Sequence, residues 1–597
     1  MSTVDLGDPL DHRMVVGATG LVAEFNAAGV IEAADVHVAR RLTALAGEAD
    51  PSVALAVALA VRAVRGGSVC VDLAALVTEA ADDPETAVLP WPELETWLAA
   101  VTASPLAGTP PVLHLDADRL LYLDRYWREE EQVCADLLSR PPTAALDEVA
   151  ESTLSAGLDR VFAATGYDEQ RAAARLALAQ RTTVLTGGPG TGKTTTVAAL
   201  LALFAEQAEL RDQPRLRMAL AAPTGKAAAR LQQAVQEELA RLGTLDRERV
   251  AGVRAVTLHR LLGPRPDTST RFRHHRDNRL PYDVIVVDET SMVSLTMMAR
   301  LLEAVRPEAR LILVGDPDQL TSVEAGAVLA DLVEGLADRD DLQVAALRTS
   351  HRFGVAIGRL AAAVREGDGD TVVDLLASGD PHLELVSDED PEPRLRDLVL
   401  PHALDLRRAA ETGGFGAALA ALDGQRMLCA HREGPFGVRR WNGTVERWLT
   451  EATGEPVWSS TYVGRPVLVT ANDYGLGLYN GDTGVVCRAP DGSLRVAVAT
   501  TGGAADFAPS RLSEVDTMHA MTIHKSQGSQ ADDVVIQLPP QESRLLTREL
   551  FYTAITRARE RVVVVGSEAE VRAAVARRAQ RATGLAQRLR TRGSGAE

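Results

Sequence analysis

The stretch Thr182-Thr183-Val184-Leu185-Thr186-Gly187-Gly188-Pro189-Gly190-Thr191-Gly192-Lys193-Thr194 sets the fold class of this chain. A β-type run precedes a loop rich in glycine, and an apolar helical pattern follows the loop. The loop matches the spacing G-x-x-x-x-G-K-[ST] in the strand–loop–helix context that gives this pattern its meaning. The stretch therefore predicts one strand and one crossover helix of a parallel α/β sheet.

The same loop predicts a phosphate-binding site. Its glycines let backbone N–H groups and the helix N-terminus face phosphate oxygens. We expect Lys193 to reach the β- and γ-phosphates of ATP and the hydroxyl of Thr194 to ligate Mg²⁺. The predicted cofactor-binding residues of the loop are Gly187, Gly188, Pro189, Gly190, Thr191, Gly192, Lys193, Thr194 and Thr195.

Two further strand ends carry polar residues suited to hydrolysis. The apolar run Val284–Val287 ends in Asp288 and Glu289. We expect Asp288 to enter the Mg²⁺ shell and Glu289 to polarise the attacking water as general base. Gln319 follows the run Leu311–Val314, and it can transmit the presence or absence of the γ-phosphate to the rest of the chain. These elements predict an NTPase, but they do not indicate what its energy drives.

Lysine is rare in this chain. Only Lys193, Lys226 and Lys525 occur among 63 basic residues, and each lies inside a motif that contains glycine. A compact ammonium fits where the planar fork of arginine does not, so a lysine retained in this background indicates a functional position. Random drift, the alternative, would scatter the three lysines.

Composition limits the class of protein. A chain of 597 residues with 46% apolar and 24% charged residues fits about three or four soluble domains. Since no apolar run is long enough to span a membrane and no leader is evident, we expect a cytoplasmic protein without membrane contact. Four widely spaced cysteines predict neither disulfides nor a zinc site. A net charge of −19 confines any nucleic-acid contact to a groove, or requires a more basic partner.

The pattern along the chain predicts an α/β fold with two parallel sheets. Short amphipathic helices, among them Val36–Ala46 and Ser52–Val64, fill residues 1–110. A first domain is predicted at 111–345, with leading helices and then alternating strand and helix patterns from about residue 150, and a second, similar domain at 346–435 and 514–597. Between them, residues 436–513 contain short strands and turn signals typical of a small β-barrel. We expect the tail after Arg581 to be frayed.

Six further stretches, read in order, resemble the motif set of superfamily 1 DNA helicases. They are Ala222-Pro223-Thr224-Gly225-Lys226-Ala227-Ala228, Thr257-Leu258-His259-Arg260, Gly315-Asp316-Pro317-Asp318-Gln319-Leu320, Ser350-His351-Arg352-Phe353, Met521-Thr522-Ile523-His524-Lys525-Ser526-Gln527-Gly528 and Tyr552-Thr553-Ala554-Ile555-Thr556-Arg557-Ala558. Within that superfamily the chain resembles the RecD family, the alpha subunits of RecBCD (exodeoxyribonuclease V) complexes. The resemblance covers residues 110–597.

The resemblance implies two RecA-like motor domains, a helical N-terminal docking domain at 1–110 and an SH3-like barrel at 436–513. It implies that Gln170 reads adenine, and that Arg352 and Arg557 reach the γ-phosphate as arginine fingers. With these two, the predicted catalytic residues are Lys193, Asp288, Glu289, Gln319, Arg352 and Arg557. The implied DNA-contact residues are Lys226, Thr257, His259, Thr522, His524 and Lys525.

Several details remain open at the level of sequence. Phe353, Tyr474 and Tyr479 are candidates for base stacking, with core packing as the alternative. His351 occupies a position where relatives commonly have Tyr, and Gln530 one where many have Glu. Translocation from 5′ to 3′ is implied by the resemblance alone.

The leading hypothesis is an ATP-dependent helicase subunit that processes duplex DNA ends for recombinational repair, together with RecB-like and RecC-like subunits. The apolar helix at Ser52–Val64 would offer a face to the RecC-like partner, although it could simply pack internally. No further cluster of acids indicates a nuclease in this chain. The alternatives are a regulatory subunit that uses ATP binding as a switch, and a free-standing RNA or DNA helicase.

Overall fold

The computed structural model describes residues 11, 13–84, 86–141, 143, 147–163, 165–265, 268–339, 341–349, 354–412, 414–457, 461–473, 475–500 and 503–592. The chain forms an N-terminal unit, two lobes that each contain a parallel sheet (lobe 1 and lobe 2), and an antiparallel sheet inserted in lobe 2. Two parallel sheets flanked by helices confirm the predicted α/β class.

The N-terminal unit combines five helices with a small sheet. Its elements are α1 (Leu21–Ala27), α2 (Ala33–Ala46), α3 (Pro51–Arg65), β1 (Cys70–Asp72), α4 (Leu73–Asp82), α5 (Leu94–Ala103), β2 (Leu113–Leu115) and β3 (Leu120–Leu123). The antiparallel order β1-β3-β2 joins residues on both sides of position 110, so the unit extends to Leu123. Strands of three or four residues are too short to leave a periodic pattern.

Helix α3 does not present an apolar face to a partner, contrary to our expectation for Ser52–Val64. Val53 and the run Leu55–Ala60 are fully or almost fully buried in the core of the N-terminal unit. They pack among α1, α2 and α5. The alternative, packing within the chain, is therefore correct, because a helix that is apolar on most sides must be buried on most sides.

Lobe 1 contains a six-stranded parallel sheet in the order β11-β4-β10-β9-β5-β6. The elements from residue 124 to 347 are α6 (Asp124–Leu138), α7 (Glu148–Val161), α8 (Asp168–Ala179), β4 (Thr182–Gly187), α9 (Lys193–Glu209), β5 (Met218–Ala222), α10 (Gly225–Arg241), α11 (Thr244–Arg249), β6 (Ala255–Thr257), α12 (Leu258–Leu262), β7 (Pro264–Arg265), β8 (Thr268–Phe272), β9 (Val284–Val287), α13 (Leu295–Ala304), β10 (Arg310–Gly315), α14 (Val328–Gly335) and β11 (Val344–Leu347).

Helices cover both faces of this sheet, which explains why its strand β9 is apolar at every position. In β9, Val284 and Val286 enter one core with α8 and α9, whereas Ile285 and Val287 enter another with α13 and α14. Successive side chains of a strand point to opposite faces, so burial on both faces needs an unbroken apolar run.

Lobe 2 contains a five-stranded parallel sheet in the order β12-β21-β20-β13-β19. The elements from residue 355 onwards are α15 (Val355–Glu366), α16 (Gly369–Ala377), β12 (Leu383–Val386), α17 (Glu392–Thr412), α18 (Gly414–Leu422), β13 (Gln425–Cys429), α19 (Val438–Thr453), β14 (Pro466–Val469), β15 (Thr483–Arg488), β16 (Leu494–Thr500), β17 (Gly503–Phe507), β18 (Val515–Thr517), β19 (Ala520–Thr522), α20 (Ile523–Ser526), β20 (Ala531–Gln537), α21 (Arg548–Ile555), β21 (Ala558–Val565), α22 (Glu568–Ala576) and α23 (Leu585–Thr591).

The insert is a five-stranded antiparallel sheet in the order β17-β16-β15-β14-β18. Among the residues described, its edge strands β17 and β18 are not paired with each other. Closure into an SH3-like barrel therefore stays a prediction. Helix α19 lies inside the range 436–513, yet Trp441, Val445 and Trp448 bury it against the sheet of lobe 2. That spacing of three and four residues is typical of one helical face.

Residues 582–592 pack against the rest of the chain, so our expectation of a frayed tail after Arg581 is wrong for them, while residues 593–597 lie outside the described residues. Leu585 and Leu589 of α23 are fully buried in lobe 1, where α23 packs on α14. Backbone atoms of Ala582 exchange hydrogen bonds with Ser68 (3.1 Å) and Val69 (3.0 Å) of the N-terminal unit. This C-terminal strap, residues 577–592, thus joins lobe 2 to lobe 1 and to the N-terminal unit.

We expect Arg588→Ala to lower the free energy of unfolding by about 3 kcal/mol, because it removes one partner of a buried ion pair. The Nε of Arg588 donates to Oε2 of the fully buried Glu130 at 3.1 Å, and the guanidinium lies 3.8 Å from the centre of the Trp127 ring. Urea unfolding measures the change. Arg590→Ala, whose partner Glu334 is exposed, should cost less than about 0.5 kcal/mol. Equal losses for the two variants would contradict the assignment.

No helix in the described part of the chain combines the length and the apolar character needed to cross a bilayer.

Candidate nucleotide and nucleic-acid site

The glycine-rich loop, residues 187–194, connects β4 to α9. Gly192 has φ 85°, a left-handed conformation that glycine adopts without strain. The Nζ of Lys193 donates hydrogen bonds to the carbonyl oxygens of Gly187 (2.5 Å) and Gly188 (2.9 Å). The lysine therefore lies folded over the loop, with its ammonium beside the backbone that would surround a phosphate.

Gln170 on α8 is fixed against this loop. Its Nε2 donates to the carbonyl oxygen of Thr191 at 2.9 Å, and the side chain is fully buried. Within the described residues its Oε1 has no hydrogen-bond partner. A buried amide oxygen without a donor is costly, so the position is suited to a ligand that supplies an N–H group.

Asp288 and Glu289 follow β9 directly. They lie at the same edge of the sheet as the loop 187–194, because the carboxyl ends of parallel strands lie together. Burial and the neighbouring Glu289 raise the pKa of Asp288 to about 6, and Lys193 opposes the shift. The backbone of Glu289 has φ 52° and ψ 42°, which is uncommon outside glycine. Strain of this kind is often found at functional sites.

Gln319 of lobe 1 and Arg557 of lobe 2 are in direct contact. The Nη2 of Arg557 donates to Oε1 of Gln319 at 3.0 Å, and the Nε2 of Gln319 donates to Oδ2 of Asp316 at 2.9 Å. Arg557 is almost completely buried. Burial lowers the pKa of its guanidinium, while the carboxylates of Glu289 and Asp316 oppose the shift. An arginine from lobe 2 thus faces the acids of lobe 1.

Helix α21 of lobe 2 reinforces this junction. The hydroxyl of Tyr552 donates to Asp316 at 3.1 Å, and the hydroxyl of Thr553 accepts from the backbone N–H of Leu320 at 2.9 Å. A Cβ built on Gly188 would lie 3.0 Å from the Tyr552 oxygen, so lobe 2 reaches the loop 187–194 itself.

Asp316, Tyr552 and Thr553 were not among the predicted site residues, although each lies in one of the six motif stretches. The signal available in the sequence was their hydroxyl and carboxylate chemistry inside those motifs. The predicted finger Arg352, with Ser350, His351 and Phe353, lies outside the described residues, as does Tyr474.

The predicted DNA-contact residues occupy equivalent places in the two lobes. Thr257 and Thr522 each end an edge strand, β6 and β19, and each caps the short helix that follows. Their hydroxyls accept from the backbone N–H groups of Arg260 (3.2 Å) and Lys525 (3.3 Å). In both places an apolar residue and a histidine follow, and burial lowers the pKa of His259 and His524.

The three lysines lie three to six residues after the ends of β4, β5 and β19. Burial, with help from Arg426, lowers the pKa of Lys226 to about 8. A Cβ built on Gly225 would lie 2.6 Å from Cβ of Tyr479, so the insert closes tightly on the turn before Lys226. The Nζ of Lys525 lies 3.6 Å from Oδ2 of Asp516. Each lysine is thus at the carboxyl edge of a parallel sheet.

Three family models match the chain in the order of these units. The N-terminal domain of RecBCD enzyme subunit RecD matches residues 27–122, an AAA domain matches 170–325, and the UvrD-like helicase C-terminal domain matches 517–565. The first covers the N-terminal unit, and the other two cover the parts of lobes 1 and 2 that carry the nucleotide and DNA motifs.

Curated relatives extend over nearly the whole chain. RecBCD enzyme subunit RecD of Mycobacterium tuberculosis is 63% identical over 98% of this chain and 99% of its own length. The subunit of the same name from Mycolicibacterium smegmatis is 65% identical over 95% of this chain and 99% of its own length. The ATP-dependent RecD2 DNA helicase of Deinococcus radiodurans is 33% identical over 79% of this chain and 58% of its own length. The chain belongs to the RecD family of RecBCD enzyme subunits, which are superfamily 1 helicases.

Proposed function

We propose that this chain is the ATP-driven DNA helicase subunit of a RecBCD-type complex that processes double-strand DNA ends for recombinational repair. The hydrogen bond between Arg557 of lobe 2 and Gln319 of lobe 1 carries the proposal. It brings a cation from one lobe to the hydrolysis residues of the other, as a motor driven by lobe closure requires.

ATP would lie between the lobes, with its phosphates on the loop 187–194 and on Lys193. Gln170 would accept a hydrogen bond from the adenine amino group through its unpaired Oε1. The hydroxyl of Thr194 and the carboxylate of Asp288 suit Mg²⁺, which prefers oxygen ligands and takes the rest from phosphate and water. No group of three or more His, Cys, Asp or Glu within the described residues forms a separate metal site. When bound, Mg²⁺ would neutralise phosphate charge.

Hydrolysis would then follow from the positions of three side chains. Glu289 would accept the proton of the attacking water, and Arg557 would stabilise the negative charge that develops on the γ-phosphate. Gln319 contacts both Arg557 and Asp316, so it would report the state of the phosphate to lobe 2. Arg352 would act as a second finger.

Lobe closure and opening would move the two DNA-contact elements relative to each other. Thr257 and His259 in lobe 1, and Thr522 and His524 in lobe 2, would hold phosphates without reading base sequence. Lys226 and Lys525 would add positive charge to this groove. We infer 5′-to-3′ stepping from the family, with an SH3-like closure of the insert guiding the strand.

The partners would be RecB-like and RecC-like subunits, with the nuclease in another chain. The match of residues 27–122 to the RecD N-terminal domain supports a docking role for the N-terminal unit. Val38 and Leu45, one heptad apart on α2, are exposed there, and they suit contact with another subunit better than the buried face of α3.

The test is ATP hydrolysis by the purified chain with and without single-stranded DNA. We expect DNA to raise the turnover strongly, because contacts to both lobes favour the closed state in which Arg557 completes the site. The Lys193→Gln variant measures any contaminating ATPase. Equal turnover with and without DNA would contradict the proposal.

Affinity for single-stranded DNA should fall about tenfold between about pH 7 and about pH 9, because Lys226 binds a DNA phosphate only in its charged form. Its pKa of about 8 means that the charged fraction falls as the pH rises through this range. His259 and His524 contribute no such change, because the ordinary pKa of histidine lies below this pH range and burial lowers the pKa of both residues further. Fluorescence anisotropy with an oligo-dA strand measures the affinity. Lys226→Arg should lose the pH dependence, and an unchanged dependence in that variant would contradict the role.

A further inference from the structure

The segment between β13 and α19, together with the first residues of α19, presents an aromatic side chain on a rigid turn. We define residues 431–440 as the aromatic loop. Its ends are joined by backbone hydrogen bonds from Val438 to His431 and from Arg439 to Arg432, both 3.0 Å. A Cβ built on Gly437 would come within 2.3 Å of a backbone oxygen, so only glycine fits this tight turn. The loop is therefore preorganised.

The loop exposes Phe436 and two arginines. Phe436 is 37% exposed, and among the described residues it is the one aromatic side chain in the set of exposed large apolar residues. The side chains of Arg432 and Arg439 are 71% and 82% exposed, and their ion-pair partners, Asp516 at 4.0 Å and Glu433 at 3.3 Å, are also exposed. On a chain of net charge −19, an exposed ring with an arginine four residues before it and another three residues after it is suited to a polyanion with flat, apolar faces.

The aromatic loop continues the DNA groove proposed above. It follows β13, which pairs in parallel with β19, and the carboxyl end of β19 carries Thr522 and Lys525. The Nη2 of Arg432 lies 4.0 Å, and the Nζ of Lys525 3.6 Å, from the same oxygen of Asp516. The loop and the lysine therefore share one stretch of surface.

We propose that the aromatic loop is a further binding site for single-stranded DNA, in which a base stacks on Phe436 and phosphates contact Arg432 and Arg439. The inference rests on the proposed helicase function and adds at least one nucleotide to its groove. Stacking on an exposed ring needs an unpaired base, which favours a single strand over a duplex. The preformed turn lowers the cost of ordering on binding.

The experiment is a salt titration of oligo-dT binding to the full chain, followed by anisotropy. Phe436→Ala should weaken binding about fivefold or more at every salt concentration, which leaves the slope of log affinity against log salt unchanged. Phe436→Trp should bind like the original chain. Arg439→Gln should reduce that slope by about 0.7, because one phosphate contact is lost.

Two further variants separate the possible failures. Lys525→Gln tests the groove itself. Leu245→Ala is the control for Phe436→Ala, because it removes an apolar side chain of lobe 1 that is 70% exposed. If Lys525→Gln weakens binding but Phe436→Ala does not, the inference fails and the proposed function stands. If the original chain does not bind oligo-dT, both fail. A Phe436→Ala defect confined to assembly with the other subunits would identify a protein interface instead, and would overturn the inference.

Discussion

Arg557→Gln is expected to lower the rate constant of DNA-stimulated ATP hydrolysis about 10³-fold or more, while ATP still binds. Glutamine can still donate a hydrogen bond to Gln319, so the junction of the lobes is largely kept, but the positive charge is lost. The charge is the essential property, because Arg557 faces the site where negative charge develops on the transferred phosphate. Steady-state hydrolysis at saturating DNA measures the effect, with the Michaelis constant for ATP as the second readout.

Arg559→Gln is the matched control for this prediction. Arg559 lies two residues further along the chain, its side chain is 46% exposed, and it pairs with the exposed acid Asp532 at 3.2 Å. The Arg559→Gln variant should hydrolyse ATP at the rate of the original chain. A further variant, Arg557→Lys, keeps the charge without the forked geometry, and should recover only part of the activity. If Arg557→Gln kept more than about a tenth of the activity, the finger role would be wrong.

Glu289→Gln is expected to reduce hydrolysis about 10²- to 10⁴-fold and to trap bound ATP. The amide keeps the shape of the side chain but cannot accept the proton of the attacking water. Filter binding with labelled ATP measures the trapped nucleotide, and unwinding of a duplex end by the assembled complex measures the consequence. Glu308→Gln, on an exposed turn of lobe 1, is the control.

This variant also separates a motor from a switch. A regulatory subunit that needs only ATP binding would support unwinding with Glu289→Gln as well as the original chain does. A motor would not, because its stepping requires hydrolysis. Unchanged unwinding by the complex would therefore favour the switch, and would remove the need for the cross-lobe chemistry proposed here.

Much of the nucleotide site could be predicted because its signals are local. The loop 187–194, its strand and its helix are contiguous, and the run Val284–Val287 is apolar throughout since both faces of its sheet are covered. The parallel order then brings strand ends together at one edge. The contact between Gln319 and Arg557 had no such signal, because a spacing of 238 residues carries no geometry by itself.

The parts that could not be predicted depend on tertiary packing. Tyr552 and Asp316 belong to different lobes, and no local pattern indicates that a tyrosine hydroxyl would reach an aspartate in the other lobe. The C-terminal strap was missed because Leu585 and Leu589 form a helical face of a single turn, too short for a periodic signal. In α3 the apolar pattern was recognised but assigned to a partner, since sequence cannot distinguish a neighbour within the chain from one outside it.

The central claim is that one nucleotide is held from both sides, by Lys193 and Asp288 of lobe 1 and by Arg557 of lobe 2. A crystal structure of the chain with ADP, aluminium fluoride and Mg²⁺ tests it most directly. We predict that the ammonium of Lys193 and the guanidinium of Arg557 both lie within about 3 Å of the same aluminium fluoride group. Arg557 in a separate pocket, away from the phosphate mimic, would contradict the account.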